Sequence, residues 1–314
     1  MVNLDSFDEL ELAGAVAKEI GRPAQVGIRV NMRLNYPAWD KFGFNLEEGQ
    51  ALEACRRIAA NPFLSLAGLH CHAGTYIIDL SIYRKLIENL IGLAVKAQGT
   101  LGAELRYLDV GGGYGSLNTL HTQLMPGETT CPTPDQYAAT ICEVLNSRIT
   151  DFKNPPLLLL EPGRSVVDEC MVLLSTVVSV KNQSSGRKGI IIDAGVNLLP
   201  TAFYYKHDLA TDREVSNVSE QVDIYGPLCM QIDLIRKGAT IPYTQAGDVI
   251  TIRNVGAYNF SQSMQFIQPR PAVVLIDGAQ VQEVRRAETY DDLKRLEIVP
   301  ERLRSPWNRK EKAS

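Results

Sequence analysis

Up to about Arg164 the chain alternates short apolar runs with longer amphipathic ones, and this rhythm restricts it to folds built on a parallel sheet. Each crossover helix must cover a sheet face, so alternating apolar strands and one-faced helices read as βα units. Strands are expected at Gln25–Val30, Leu66–Cys71, Leu105–Val110 and Leu157–Leu160, with a possible fifth at Val2–Leu4. Ser6 and Glu9 have capping-box spacing, Leu10, Ala13, Ala17 and Ile20 share one helical face, and Gly21 closes that helix. Asn45 is expected to cap a helix reaching Ala60, where Asn61-Pro62 stops it. Asp79 opens the next helix, and Thr133-Pro134 starts another through a hydroxyl cap followed by proline in the first turn.

Beyond Arg164 the rhythm changes. Val172–Val180, Gly189–Ile192, Asp248–Val255, Ala272–Ile276 and Val281–Arg285 are strand-like and separated by turn residues instead of helices. The expected organisation is a portion of a (β/α)₈ TIM-like barrel over 1–164 and an antiparallel β-barrel or sandwich over 165–314. A closed barrel needs eight strands over roughly 250 residues. Four or five are found, so an incomplete barrel with bare strand edges is expected, its missing part either lost from the start or supplied by a partner. The charged end, Asn308 to Ser314, is expected to fray.

Composition narrows the function classes. With 32 Lys+Arg against 36 Asp+Glu the net charge is −4, and no basic cluster offers a nucleic-acid surface. The six cysteines, Cys55, Cys71, Cys131, Cys142, Cys170 and Cys229, lack CxxC spacing, so no metal and a reduced, cytoplasmic protein are expected. Met1-Val2-Asn3-Leu4-Asp5 does not have the pattern of a signal peptide, and no apolar run has the length of a membrane span.

Three strand ends finish in glycines and polar groups: His70-Cys71-His72-Ala73-Gly74-Thr75, Asp109-Val110-Gly111-Gly112-Gly113-Tyr114-Gly115 and Glu161-Pro162-Gly163-Arg164. In βα barrels the C-terminal strand ends form the active-site face. Glycines there let backbone amides approach a phosphate, and an arginine adds a charged fork of donors. Singly, a triple-glycine turn is more often a plain tight turn, and Arg164 or His72 a surface or satisfied polar residue. Together, in this order, they point to a phosphorylated ligand in a barrel mouth.

These segments resemble the fold-type III pyridoxal 5'-phosphate (PLP) decarboxylases, which include diaminopimelate, ornithine and arginine decarboxylases and share their barrel with alanine racemase. The likeness continues through Asp193-Ala194-Gly195-Val196-Asn197, Gly226-Pro227-Leu228-Cys229 with Asp233, Val255-Gly256-Ala257-Tyr258 and Arg285-Arg286-Ala287-Glu288-Thr289-Tyr290. The resemblance implies that His72 stacks on the pyridine ring and that Glu161 pairs with the pyridine nitrogen. It implies phosphate contacts from Thr75, Gly112, Gly113, Gly163, Arg164 and Tyr258. Cys229 would reach the neighbouring subunit's site in a homodimer and reprotonate the α-carbon; outside this context a cysteine is more often a small core residue. A racemase would usually place an arginine near the pyridine nitrogen, where this chain has Glu161.

Three departures qualify the resemblance. The family's Schiff-base lysine lies in a first-strand motif upstream of the segment resembling Met1 to Ser6, so an N-terminally truncated form is expected. Ala94-Val95-Lys96-Ala97-Gln98 is similar only superficially, because Lys96 falls on the face opposite Leu86, Leu90, Leu93 and Ala97. After Cys229, where relatives acting on diamino substrates place an acid, stands Met230. Leu198-Leu199-Pro200-Thr201-Ala202-Phe203-Tyr204 also lacks the arginine that grips a distal carboxylate in diaminopimelate decarboxylases. The expected function is therefore PLP-dependent α-decarboxylation of an amino acid, diaminopimelate decarboxylase-like but altered in specificity. The alternative is a non-catalytic homologue, a decoy or dimerising partner.

Overall fold

The computed structural model describes residues 2–37, 39–212 and 218–303; the expected fraying at Asn308 to Ser314 lies outside them. The chain divides into two compact units. The first comprises Met1–Leu173 with Tyr204–Leu209 and Ile252–Ala257; the second comprises Leu174–Phe203, Ala210–Thr251 and Tyr258–Ser314.

The first unit alternates strands and helices: β1 (Val2–Leu4), α1 (Phe7–Ile20), β2 (Ala24–Asn31), β3 (Phe44–Asn45), α2 (Gln50–Ala60), β4 (Leu64–His70), α3 (Leu80–Leu101) and β5 (Tyr107–Asp109). There follow β6 (Thr119–Leu120), the single turn α4 (Gly127–Thr130), α5 (Pro134–Ser147), β7 (Leu157–Leu159) and the short α6 (Gly163–Val167). The sheet runs β1-β2-β4-β5-β7 with β3 beside β2, and every pairing is parallel. Spatial order equals chain order. A doubly wound sheet would reverse direction at a switch point, whereas a barrel winds one way, so this is a segment of a βα barrel. At its ends, Val2 of β1 and Leu157 of β7 are exposed apolar residues.

The helices start and stop where side chains satisfy orphan amides. The Ser6 hydroxyl accepts from Glu9 N, and Gly21 ends α1 in the left-handed region. Asp79 caps α3, and Thr133 with Gln136 forms a complete capping box on α5. Two expectations change. Asn45 lies in β3, and its Oδ1 accepts from Glu48 N to make a turn, while Gly49 is the residue that caps α2. Ile20 is exposed although Leu10 and Ala17 are buried. On α3, Leu86, Leu90, Leu93 and Ala97 are buried and Lys96 is exposed, as its helical position required.

The second unit is mainly antiparallel. Its elements are β8 (Leu173–Asn182, beginning in the first unit's last residue), β9 (Lys188–Ile192), β11 (Leu209–Thr211), β12 (Ser219–Tyr225), β13 (Leu234–Pro242) and β14 (Val249–Ile252), in the order β11-β14-β8-β9-β12-β13. The two-residue β10 (Tyr205–Lys206) belongs to the first unit, where it pairs with β6. β9 and β12 pair in parallel, a departure from a wholly antiparallel sheet. Sequence periodicity misses β12 and β13. The first carries Glu220, Gln221 and Asp223, and the second is broken by Gly238 at φ 62°, where the pairing slips register. A turn α7 (Asn259–Gln262), the hairpin β15 (Val273–Asp277)–β16 (Gln280–Arg285) and α8 (Tyr290–Lys294) complete the unit. Among the described residues no helix is long and apolar enough to cross a membrane.

Candidate active site

The registers His70↔Asp109 and Asp109↔Leu159 end β4, β5 and β7 level with one another, so their following loops emerge side by side. His72 Nδ1 accepts a 3.0 Å hydrogen bond from Gly112 N and lies 3.8 Å from the Glu161 carboxylate. Glu161 N donates to the Gly111 carbonyl at 2.9 Å. His72, Gly112 and Glu161, chosen from three separate sequence segments, therefore meet in one place. Trp39 lies against the His72 ring, with centroids 5.2 Å apart.

Behind Glu161 stand two buried polar groups that sequence reasoning quoted only as parts of motifs. His70 Nε2 is 3.7 Å from the Glu161 carboxylate, and the Asp109 carboxylate lies within 4.8 Å of both. Burial, then the charge of Asp109, pushes the Glu161 carboxyl up from its ordinary value. Burial lowers His70 to about 4, and burial followed by the Arg29 charge lowers His72, so both imidazoles are neutral near pH 7. Two facing carboxylates in a partly desolvated cleft make a place where a cation is stabilised.

The glycine loop is fixed by buried tyrosines. Tyr83 of α3 donates to the Gly112 carbonyl at 2.9 Å, and Tyr137 of α5 donates to the Ile77 carbonyl while accepting from Gly115 N. Burial raises both phenols, keeping them protonated and able to donate. No sequence signal distinguishes these tyrosines from ordinary core aromatics. Gly113 has φ 90°, and a Cβ there would lie 2.3 Å from the Gly74 carbonyl, so the loop tolerates only glycine at this point. Thr75 is exposed on the neighbouring loop, where its carbonyl accepts from the Tyr36 hydroxyl. Gly163 is exposed at the start of α6, and the Arg164 side chain, only 10% exposed, lies 4.0 Å from Asp168 and over the Tyr205 ring.

Cys229 and Tyr258 lie in the second unit. Cys229 is an exposed free thiol in the turn between β12 and β13. That turn is anchored by Asp233, 1% exposed, whose carboxylate accepts from Val196 N at 2.8 Å and Leu228 N at 2.7 Å. Gly195 and Gly226 close over it; a Cβ on either would come within 2.8 Å of its oxygens. Tyr258, at φ 65°, precedes α7 with a half-exposed side chain.

His72, Glu161 and the Gly111–Gly113 loop thus share the C-terminal strand ends of a βα barrel, the face on which such barrels carry their ligands. Comparison with known proteins agrees. Residues 1–168 match the family described as pyridoxal-dependent decarboxylase, pyridoxal binding domain. The diaminopimelate decarboxylase of Archaeoglobus fulgidus is 31% identical over 96% of this chain and 72% of its own length. That of Methanothermobacter thermautotrophicus is 32% identical over 96% and 70%. Among solved structures, diaminopimelate decarboxylase from M. jannaschii in complex with L-lysine superposes with a TM-score of 0.86 at 30% identity, over 96% of this chain and 70% of that one. The Helicobacter pylori enzyme complexed with L-lysine gives 0.79 at 29% identity, over 94% and 72%. The chain belongs to the pyridoxal-dependent decarboxylases, carboxy-lyases whose cofactor is pyridoxal 5'-phosphate.

Proposed function

We propose that this protein decarboxylates the α-carbon of an amino acid of the diaminopimelate type whose distal end differs from that of free diaminopimelate. The observation that carries the reading is the Glu161–Asp109 carboxylate pair beside His72 and the Gly112 amide. The donor set fits PLP. Gly113, at φ 90°, holds the glycine loop tight against the Gly74 carbonyl, and Arg164 is a buried cation on α6. When bound, PLP supplies an electron-poor ring that takes up the electrons released as CO₂ leaves.

The chain's own residues have separable tasks in this reading. Glu161, raised by burial and by Asp109, would pair with the cofactor's pyridine nitrogen and favour its protonated form; Asp109 would strengthen that preference from behind. His72, fixed by the Gly112 amide, would pack against the cofactor's ring. Thr75, Gly113, Gly163 and Arg164 would hold the phosphate, the Gly112 amide being taken by His72 Nδ1. Cys229, on the turn that Asp233 anchors, delivers the proton to the α-carbon from the partner subunit of a homodimer. The cofactor-binding part is residues 1–164 and the cysteine-bearing β part 165–314. Six free cysteines accord with a reducing cytoplasmic setting.

Substrate choice rests on Met230, which offers no charge to a distal ammonium, and on the stretch Leu198 to Tyr204, which holds no arginine for a distal carboxylate. A conjugated diamino acid, its distal group masked, needs neither. The test is CO₂ release from PLP-supplemented protein given diaminopimelate, lysine, ornithine and their distally acylated forms. Turnover favouring the acylated forms is expected, and turnover favouring free diaminopimelate overturns the specificity. PLP binding with no CO₂ from any of these would establish instead the non-catalytic homologue.

A further inference from the structure

We propose that Asp168 is a positioning residue that aims the Arg164 guanidinium at the cofactor's phosphate; this rests on the reading of Arg164 as a phosphate ligand. Asp168 is 1% exposed and follows α6 directly. One carboxylate oxygen accepts from the Ser116 hydroxyl at 2.5 Å and from Asn118 Nδ2 at 2.9 Å, and lies 4.0 Å from Arg164 Nη1. The other accepts from Ala257 N at 3.2 Å. Its backbone carbonyl accepts from Gly256 N at 2.9 Å. One buried side chain thus ties together the loop after the glycine triplet, the helix carrying Arg164 and the strand-end segment immediately before Tyr258.

Two further observations bear on why a charge sits here. Gly256 approaches so closely that a Cβ would overlap the Val167 carbonyl, at 1.7 Å, so the 255–257 segment is pressed onto the end of α6. Asn118 also donates to the Asn254 carbonyl at 2.9 Å, extending the same network. Packing alone would be met at lower cost by an apolar side chain, because a buried ion pair repays its desolvation only with good geometry and full hydrogen bonding. Asp168 has that full set of donors, and Arg164 is fixed from its other side by the Tyr205 ring at 4.8 Å. The guanidinium is thereby held in one orientation before the phosphate arrives, which spares the ordering cost that a free arginine would incur on binding.

The experiment compares PLP with pyridoxal, which lacks the phosphate, as ligands of the 314-residue chain. Binding is read by quenching of Trp39, which lies against His72, and by calorimetry, with inorganic phosphate as competitor. Wild type is expected to prefer PLP over pyridoxal by more than about tenfold. Asp168→Asn, close to isosteric, is expected to lose about tenfold in PLP affinity and less than about twofold in pyridoxal affinity, and phosphate competition should weaken in parallel. Equal loss for both ligands, or no loss, overturns the proposal and leaves Asp168 a purely structural residue. A wild type that binds both ligands alike overturns instead the reading of Arg164, and the inference with it. Should Asp168→Asn not fold, Ser116→Ala removes one hydrogen bond to the same oxygen; a selective loss of PLP affinity supports the proposal and an unchanged PLP-to-pyridoxal ratio refutes it.

Discussion

Replacing Asp233 by alanine should destabilise the second unit far more than any surface change. The carboxylate is 1% exposed and accepts from two buried amides, Val196 N and Leu228 N. Its removal strands both donors, at roughly 1–3 kcal/mol each, so about 2–6 kcal/mol in all. Gly195 and Gly226 lie against the carboxylate too closely for neighbouring side chains to fill the space. For a unit of this size each kcal/mol shifts Tm by about 2–4 °C, so a drop of roughly 5–20 °C is expected by calorimetry. Asp233→Asn keeps one acceptor oxygen and turns an NH₂ toward the second amide, and should fall about midway. The turn so loosened carries Cys229, so protonation of product should suffer before cofactor binding does. An alanine variant melting within about 1 °C of wild type, with two-state unfolding, would refute the accounting of stranded amides.

Other changes have equally definite outcomes. Gly113→Ala, with a Cβ placed 2.3 Å from the Gly74 carbonyl and φ at 90°, should cost more than about 2 kcal/mol in urea unfolding and weaken PLP binding; wild-type-like values of both would show that the loop has room. Burial lowers His70 from 6.5 to about 4, so on acidification the unfolded chain takes the proton first; stability from this group is whole above about pH 6.5 and lost as pH falls toward 4. That loss is at most about 3 kcal/mol, and His70→Gln should flatten the acid limb of the urea midpoint plotted against pH. Lys96→Ala, on the exposed face of α3, should change stability by less than about 0.5 kcal/mol and leave PLP binding intact; loss of binding would make Lys96 the cofactor's lysine after all.

Local physics was legible in the chain. The Ser6 and Thr133 caps, the Gly21 stop and the apolar stripe of α3 depend on neighbours within one or two turns, so spacing alone reveals them. The glycine and carboxylate strand ends were legible as well, since their chemistry is unusual at any position. The misses share a cause. Asn45 has the composition of a helix cap but sits in β3, because pairing with Asn31 in β2 fixes its backbone. β12 and β13 are polar or interrupted and are strands through pairing with each other and, for β12, with β9.

The sequence by itself determined the alternating architecture, its change of rhythm and the short-range motifs of the site, because periodicity and turn chemistry act along the chain. Tertiary structure alone decided that Asp109 and His70 back Glu161, that Tyr83 and Tyr137 hold the glycine loop, and that Asp168 joins three distant segments. A buried polar group takes its meaning from the partners that replace water, and those partners lie tens of residues away, at separations no local pattern encodes.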